Sequence, residues 1–405
     1  MENYPGVEVR LEDVLKEITD AGRITLNRLA PALNARSASL SKKLRPLLRE
    51  GLIRTATQRK MIELNPEYGC VVGIDMGASH LHYALADFRG DILRDATEKI
   101  RPEDGPARLI AQIKEGLRRM VTLAANEHPG GKTANRVGKQ ARRPFALRGI
   151  AIGVPSPVDP VSGAVAFANN LPGWKNIHLA RALEKEFRLP VVIENDANMA
   201  ALGERWRGVA RGVQSFVFIA LGTGIGSGIV VDGNLVRGRT GSAGELFRLN
   251  VEWPRWDEDF GDIGYFETHV SGMGIAREGR KRLGAAANPQ PGNLAAERDA
   301  YFVFEAFRQG NPQARAALIQ VFTMLGVGIS DIVAILDPDL IVLGGGVVKG
   351  APKLLLTTLN RVVTRIQKEI TPPIKISALE DKAQTYGAIY CALICGQKAA
   401  LRRLT

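Results

Sequence analysis

Two stretches of the chain share one plan: CVVGIDMGASHLHYALADFRGDIL at residues 70–93 and FVFIALGTGIGSGIVVDGNLVRG at 216–238. Each is an apolar run, a glycine turn, a second apolar run with alternation, and a hairpin at Arg89-Gly90 or Asp232-Gly233-Asn234. Such a pattern predicts a strand, a tight turn, a second strand and a hairpin into a third. Glycine lets a backbone approach a phosphate closely and form an anion-binding nest, so each turn is a candidate phosphate loop. One loop alone is also explained by a tight hairpin. The pair predicts duplicated lobes whose loops face each other across a cleft, with Asp75, Gly77 and Ser79 on the first loop and Gly222, Thr223 and Gly224 on the second.

The segment between the repeats supplies acid and amide groups. Residues 149–204 give a strand into a proline-rich loop, the loop Asn169-Asn170-Leu171-Pro172-Gly173-Trp174, an amphipathic helix, a strand, and Glu194-Asn195-Asp196-Ala197-Asn198 opening a helix. Asp196 stands where a strand ends and a helix begins. A carboxylate there can accept a hydroxyl proton while a nucleotide phosphate is held in line, although aspartate is also favoured as a helix cap.

The first 68 residues read differently. LEDVLKEITDAG carries Leu11, Val14, Leu15 and Ile18 at helical spacing and stops at glycine. A short helix over Leu26–Leu33, a turn at 34–36 and a second helix from Ser37 to Gly51 follow. Strands are expected at Leu52–Ala56 and Met61–Leu64, with a basic tip at Gln58–Lys60. Three helices and a two-stranded ribbon form the layout of a winged helix-turn-helix, whose last helix enters the major groove while the wing touches the backbone. The groove-facing residues are read as Arg36, Ser37, Ser39, Leu40, Lys42 and Lys43, with Arg59 and Lys60 on the wing. Pro46 should bend the third helix beyond this contact half. A small helical protein-interaction module is the plainer alternative.

The chain has 405 residues, enough for two or three cores, and a formal charge of +12. Part of that charge clusters at 36–60 and part at 132–143, where Lys132, Arg136, Lys139, Arg142 and Arg143 lie in a stretch read as a solvated insertion over 126–145. No basic start with an apolar run resembles a secretory signal, and no run of about 18 uncharged apolar residues occurs, so a cytoplasmic protein without membrane partners is expected. Cys70, Cys391 and Cys395 sit in apolar stretches and read as core thiols.

Taken together, DMGAS, NNLPGW, ENDAN, LGTGIGSG, GSAGE at 241–245 and DPDLIVLGGGV at 337–347 resemble the ROK family of bacterial repressors, open reading frames and sugar kinases over nearly the whole chain. The resemblance implies an α/β chain with a winged helix-turn-helix at 1–68 and a two-lobed actin/hexokinase-like (ribonuclease H-like) domain with lobes at 69–190 and 191–405. It implies Asp196 as catalytic base and Asn170, Asn195, Glu245 and Glu267 as ligands of sugar hydroxyls. Asp75, Ser79, Thr223 and Gly345 would lie along ATP, with Mg²⁺. Operator DNA, a sugar or sugar derivative, and a second copy in a homodimer or dimer of dimers are the implied partners.

The family also carries one structural zinc, held by a histidine after the AGE motif and three cysteines. Here AGELFR puts Phe247 and Arg248 where Gly-His stands, and Glu258, Phe260 and Tyr265 occupy the cysteine positions, while Gly261, Gly264 and Glu267 remain. A tetrahedral site needs four donors, so no zinc is expected. An ion pair from Arg248 to the acidic loop and packing of Phe260, Tyr265 and Phe266 are expected in its place, with Arg248 either selecting an altered or acidic sugar or pointing away from the ligand. Two functions then fit: a sugar-responsive repressor, or an ATP-dependent sugar kinase carrying a DNA-binding head.

Overall fold

A computed structural model of the chain describes residues 9–56, 60–77, 79–127, 146–167, 171–261, 263–284 and 299–404. By internal contacts it divides into two units, 1–196 with 385–405, and 197–384.

The first unit opens with helices α1 (Leu11–Ala21), α2 (Leu26–Ala32) and α3 (Ser37–Glu50) and strands β1 (Arg23–Thr25), β2 (Ile53–Ala56) and β3 (Met61–Leu64). Gly51 ends α3 in the left-handed conformation, as a helix stop requires. Pro46 is accommodated inside α3, which runs continuously past it. The ribbon has three strands in the order β1-β3-β2 rather than two, because Arg23-Ile24-Thr25 pairs antiparallel with Met61–Glu63. Leu40, expected to face outward, is 1% exposed and packs inward with Leu44 and Leu47. Helical spacing places it on the face of α3 opposite the exposed residues.

A five-stranded sheet follows, of order β10-β7-β4-β5-β6. Its strands are β4 (Cys70–Met76), β5 (His80–Asp87), β6 (Ile92–Lys99), β7 (Leu147–Val154) and β10 (Val191–Asn195), while β8 (Val165–Phe167) and β9 (Lys175–Ile177) pair apart from it. β4 is buried along its whole length, which is why it reads as an unbroken apolar run. β6 is an edge strand and is largely exposed, its charged side chains guarding the edge. Helices α4 (Gly105–Glu127) and α5 (Leu179–Phe187) contribute Leu109, Ile113, Leu117, Leu179 and Leu183 to the core on one face. On the other lies the C-terminal helix Ala383–Leu401. A Cβ on Gly73 would stand 2.8 Å from the Ile389 amide nitrogen, and one on Gly149 would stand 2.4 Å from the Ala392 carbonyl oxygen. That helix was expected within a lobe of residues 191–405, yet from residue 385 it belongs to the first unit. Its partners are strands more than two hundred residues earlier, a pairing that local periodicity does not carry.

The second unit repeats the sheet, with order β13-β12-β11-β14-β15. Here β11 (Phe216–Leu221), β12 (Ile225–Val231) and β13 (Asn234–Val236) form the meander, and β14 (Leu340–Gly344) and β15 (Ile374–Ile376) add in parallel. The helix α6 (Asp196–Arg207) lies on β12, where a Cβ on Gly228 would be 2.6 Å from that of Ala201. The helix Pro312–Leu336 is long and apolar enough, by length and composition, to cross a membrane. It is the spine of this unit's core, with Leu318, Val321, Phe322, Leu325 and Ile329 buried.

Candidate functional site

In the first unit, the loop after β4 is closed by the Gly77 amide donating to the His80 carbonyl at 2.9 Å. The His80 ring lies over Gly77 so closely that a Cβ there would be 2.4 Å from its Cε1. Asp75, at the end of β4, is 9% exposed. Burial raises its carboxyl above the ordinary range, against the opposing pull of His80 and His82. His82 is itself held between Thr385 Oγ1 at 3.1 Å and Asp95 Oδ2 at 3.3 Å. Ser79 is exposed, and Ala78 lies outside the described residues.

Parallel pairing of β10 with β7 brings the ENDAN segment to the same end of the sheet. Asn195 Nδ2 donates to the Ser156 carbonyl at 3.3 Å. Asp196 is the first residue of α6 and is partly exposed, so its carboxylate stands at a helix N-terminus. Asn170 lies outside the described residues.

In the second unit, the turn after β11 is braced on three sides. The Gly272 amide donates to the Gly222 carbonyl at 2.8 Å, and the Ile225 amide donates to Glu267 Oε2 at 2.9 Å. Gly345 has φ 97° and backs onto Leu221, whose carbonyl oxygen would be 2.4 Å from a Cβ, so only glycine fits. Between these braces, Thr223 is exposed. The amides of Thr223 and Gly224 take no partner among the described residues, which leaves two donors for an anion.

Glu245 precedes a single 3₁₀ turn, Leu246–Arg248. Burial pushes its carboxyl up to about 7, with Arg248 pulling it down and Glu267 pushing it up. Glu245, Glu267 and Arg248 therefore form one electrostatic group. Gly244 and Gly264 hold it in place. Ser227 Oγ donates to the Gly244 carbonyl at 2.7 Å, and a Cβ on Gly264, at φ 79°, would meet the Phe247 carbonyl oxygen at 2.4 Å.

On α3 of the head, Arg36, Ser37, Ser39 and Lys42 are exposed, and Lys43 is half-buried. Arg45 and Arg49 extend the basic face by two further turns and were not among the expected contacts. Spacing from Lys42 would have found them. Lys60 is exposed, and Arg59 lies outside the described residues, as does most of the insertion expected at 126–145.

The sequence pattern of the ROK family matches residues 71–394. The chain belongs to the ROK family. It is similar to the xylose repressor of Caldicellulosiruptor bescii, 26% identical over 389 residues that cover 93% of each protein. It is also similar to the glucokinase of Halalkalibacterium halodurans, 32% identical over 292 residues that cover 70% of this chain and 82% of the enzyme. The crystal structure of a ROK family transcriptional regulator shares its fold, with a TM-score of 0.78 over 98% of each chain at 24% identity.

The zinc that the ROK resemblance implies does not fit the residues present. Glu258, the one donor among the four positions, is taken by Arg255, with Nε at 2.7 Å from Oε1 and Nη2 at 2.6 Å from Oε2. Phe260 meets Tyr265 edge-on at 5.1 Å between ring centroids, and Tyr265 stacks on His269 at 4.2 Å. The His269 Nδ1–H donates to the Tyr265 carbonyl at 2.7 Å. No group of three or more potential metal ligands occurs among the described residues. The ion pair differs from the expected one. Arg255 makes it, with its guanidinium 5.6 Å from the Phe260 ring centroid, whereas Arg248 lies over the Phe247 ring at 4.9 Å. Phe266 is fully buried against Gly328 in the core and does not line the loop.

Two outcomes are expected. A chelator such as EDTA should leave the thermal midpoint of the native protein unchanged, while Arg255→Ala lowers it, as scanning calorimetry would record. Glu245 holds its proton more tightly folded than unfolded, so it favours the folded state below about pH 4.5 and loses that contribution as pH rises to about 7. Stability should therefore fall across this window relative to Glu245→Gln, by up to about 3.5 kcal/mol at roughly 1.4 kcal/mol per pH unit.

Proposed function

We propose that this ROK protein is a sugar-responsive transcriptional repressor that reads operator DNA as a homodimer in the cytoplasm. The observation that carries the reading is the head. Similarity to the glucokinase covers 70% of the chain and similarity to the xylose repressor covers 93%. A kinase has no use for three helices and a basic wing. In the repressor reading, the N-terminal half of α3 enters the major groove. Arg36, Ser37, Ser39 and Lys42 reach base edges, and Lys43, Arg45, Arg49 and Lys60 meet phosphates, with Arg59 added from the sequence pattern alone. Two heads would read half-sites about 34 Å apart or a multiple of that.

The effector in this reading is a neutral aldose, with xylose and glucose first to be tried. Carboxylates and amides are suited to sugar hydroxyls. Asn195 and Asp196 provide them in the first unit, and Glu245 and Glu267 in the second, with Asn170 added from the family pattern. A second reading, an ATP-dependent sugar kinase carrying a DNA-binding head, is favoured by Asp196 at the start of α6 and the two open amides of the second glycine turn. ATP with Mg²⁺ would supply the phosphoryl group, Asp75 the carboxylate on the metal side, and Gly77, Ser79, Gly222, Thr223, Gly224 and Gly345 the close backbone approach. Asp196 would then take the proton from the sugar hydroxyl.

Selection of duplexes from random sequence with the purified full chain, followed by a salt titration, tests the head. A specific duplex is expected, with affinity falling steeply as salt rises. Arg45→Ala and Arg49→Ala should each reduce the slope of log affinity against log salt by about 1. Recovery of no preferred duplex would contradict the reading.

A further inference from the structure

The carboxylate of Glu63, on β3 of the head, has no exposed side-chain surface and faces three guanidiniums. Arg23 Nε from β1 is 2.5 Å away, Arg54 Nε from β2 is 2.7 Å away, and Arg89 Nη1 is 3.6 Å away. Burial alone would raise this carboxyl, and the guanidiniums of Arg23 and Arg54 together leave it below the ordinary range. Arg23 and Arg54 belong to the head. Arg89 does not: it comes from the turn between β5 and β6 of the five-stranded sheet. That turn is itself fixed, since Asp87 Oδ1 accepts from the Arg89 and Asp91 amides at 2.9 and 3.0 Å, and Arg89 Nε donates to Asp91 Oδ2 at 2.9 Å.

Two further contacts join the same parts. Tyr68, at the junction, lies 4.8 Å from the Phe88 ring and 4.4 Å below the Arg148 guanidinium, and Arg148 donates to the Tyr68 carbonyl at 2.8 and 3.0 Å. Gln397 Nε2 on the C-terminal helix donates to Thr19 Oγ1 of α1 at 2.9 Å, with both side chains buried. The sheet strands have their other ends at the candidate site. β5 begins at His80, against the Gly77 loop, and runs about 27 Å at roughly 3.4 Å per residue before reaching the turn that carries Arg89. β4 runs between the same two ends, and β7 starts at Arg148's end of the sheet and finishes two residues before Ser156.

We propose that Glu63 and Arg89 form a brace that fixes the DNA-reading head on the first unit's sheet, so that the head moves with strands β4 and β5 as one body. A buried ion pair contributes little net stability, but where its partners come from separate elements it can fix their orientation. The brace is built so that this role can be isolated. Removing Arg89 leaves Glu63 still paired with Arg23 and Arg54 inside the head, so no buried charge is stranded. The passage of a sugar signal to the head through this brace rests on the repressor reading; the brace itself does not.

Time-resolved fluorescence anisotropy on the full chain tests it, with a dye on Glu12→Cys of α1 in a Cys391→Ser background. The parent protein should show only the slow correlation time of the whole chain. Arg89→Ala should add a nanosecond component, Glu63→Gln should add a smaller one, and Arg89→Lys should suppress it again. Affinity for a random-sequence duplex, which needs only the charge of the head, should stay within about twofold in Arg89→Ala. A single slow component in both Arg89→Ala and Glu63→Gln, or a fast component already present in the parent, would overturn the proposal. So would a loss of duplex affinity in Arg89→Ala, which would make Arg89 a DNA contact. If the protein bound no DNA of any sequence, the repressor reading would fall while the anisotropy result still decided the brace.

Discussion

The parallel pairing of β4 with β7 and of β11 with β14 is the constraint from which the rest of the structure follows. Parallel neighbours cannot be joined by a hairpin, so each pair needs a long crossover that covers a face of the sheet. Covered on both faces, the first strand of each pair has no use for polar side chains until its end. There the chain must turn, and the turn lies beside the ends of the parallel strands. This is why Asp75, Asn195 and Asp196 gather at one end of the first sheet, and why the glycine turn at 221–226 and Gly345 gather at one end of the second. Acid, amide and close backbone approach are set by topology before any ligand is considered.

The opposite end of the first sheet is used for something else. Tyr68, Arg89 and Arg148 sit there and grip the head, so one set of strands has the candidate ligand loop at one end and the DNA-reading head at the other. The departure of the loop at 253–265 from the family pattern fits the same picture. At the positions of the family's zinc ligands stand an acid paired with Arg255, a phenylalanine and a tyrosine, while Gly264 and Glu267, which support Phe247 and Ile225, are kept. The group that pulls on the Glu245 carboxyl is Arg248, at the position where the family pattern has a histidine.

Much of this was legible in the sequence because the relevant signals are local. Apolar runs broken by glycine mark both meanders, and the order of helices and strands marks the head. What escaped reading depended on contacts distant in sequence. Arg23-Ile24-Thr25 is too short for periodicity to reveal, and becomes a strand only because β3 offers it an edge. Leu40 looked outward until the phase of α3 was fixed by Leu44 and Leu47. The choice between Arg248 and Arg255 as partner of the acidic loop turned on a 3₁₀ turn that aims Arg248 at Phe247. Glu63, one acid in the strand MIEL, carries no sequence signal of the three arginines that surround it, which lie 40, 9 and 26 residues away.

The central claim is that ligand binding changes DNA reading by a chain that keeps the frame of a sugar kinase. The measurement that tests it most directly is the affinity of the full protein for its selected duplex, with and without D-xylose and D-glucose, and with ATP consumption followed in the same samples. The account predicts that one aldose weakens DNA binding at least about tenfold with no ATP consumed. An affinity unmoved by either sugar, with one of them phosphorylated at the expense of ATP, would contradict it and make the chain a kinase.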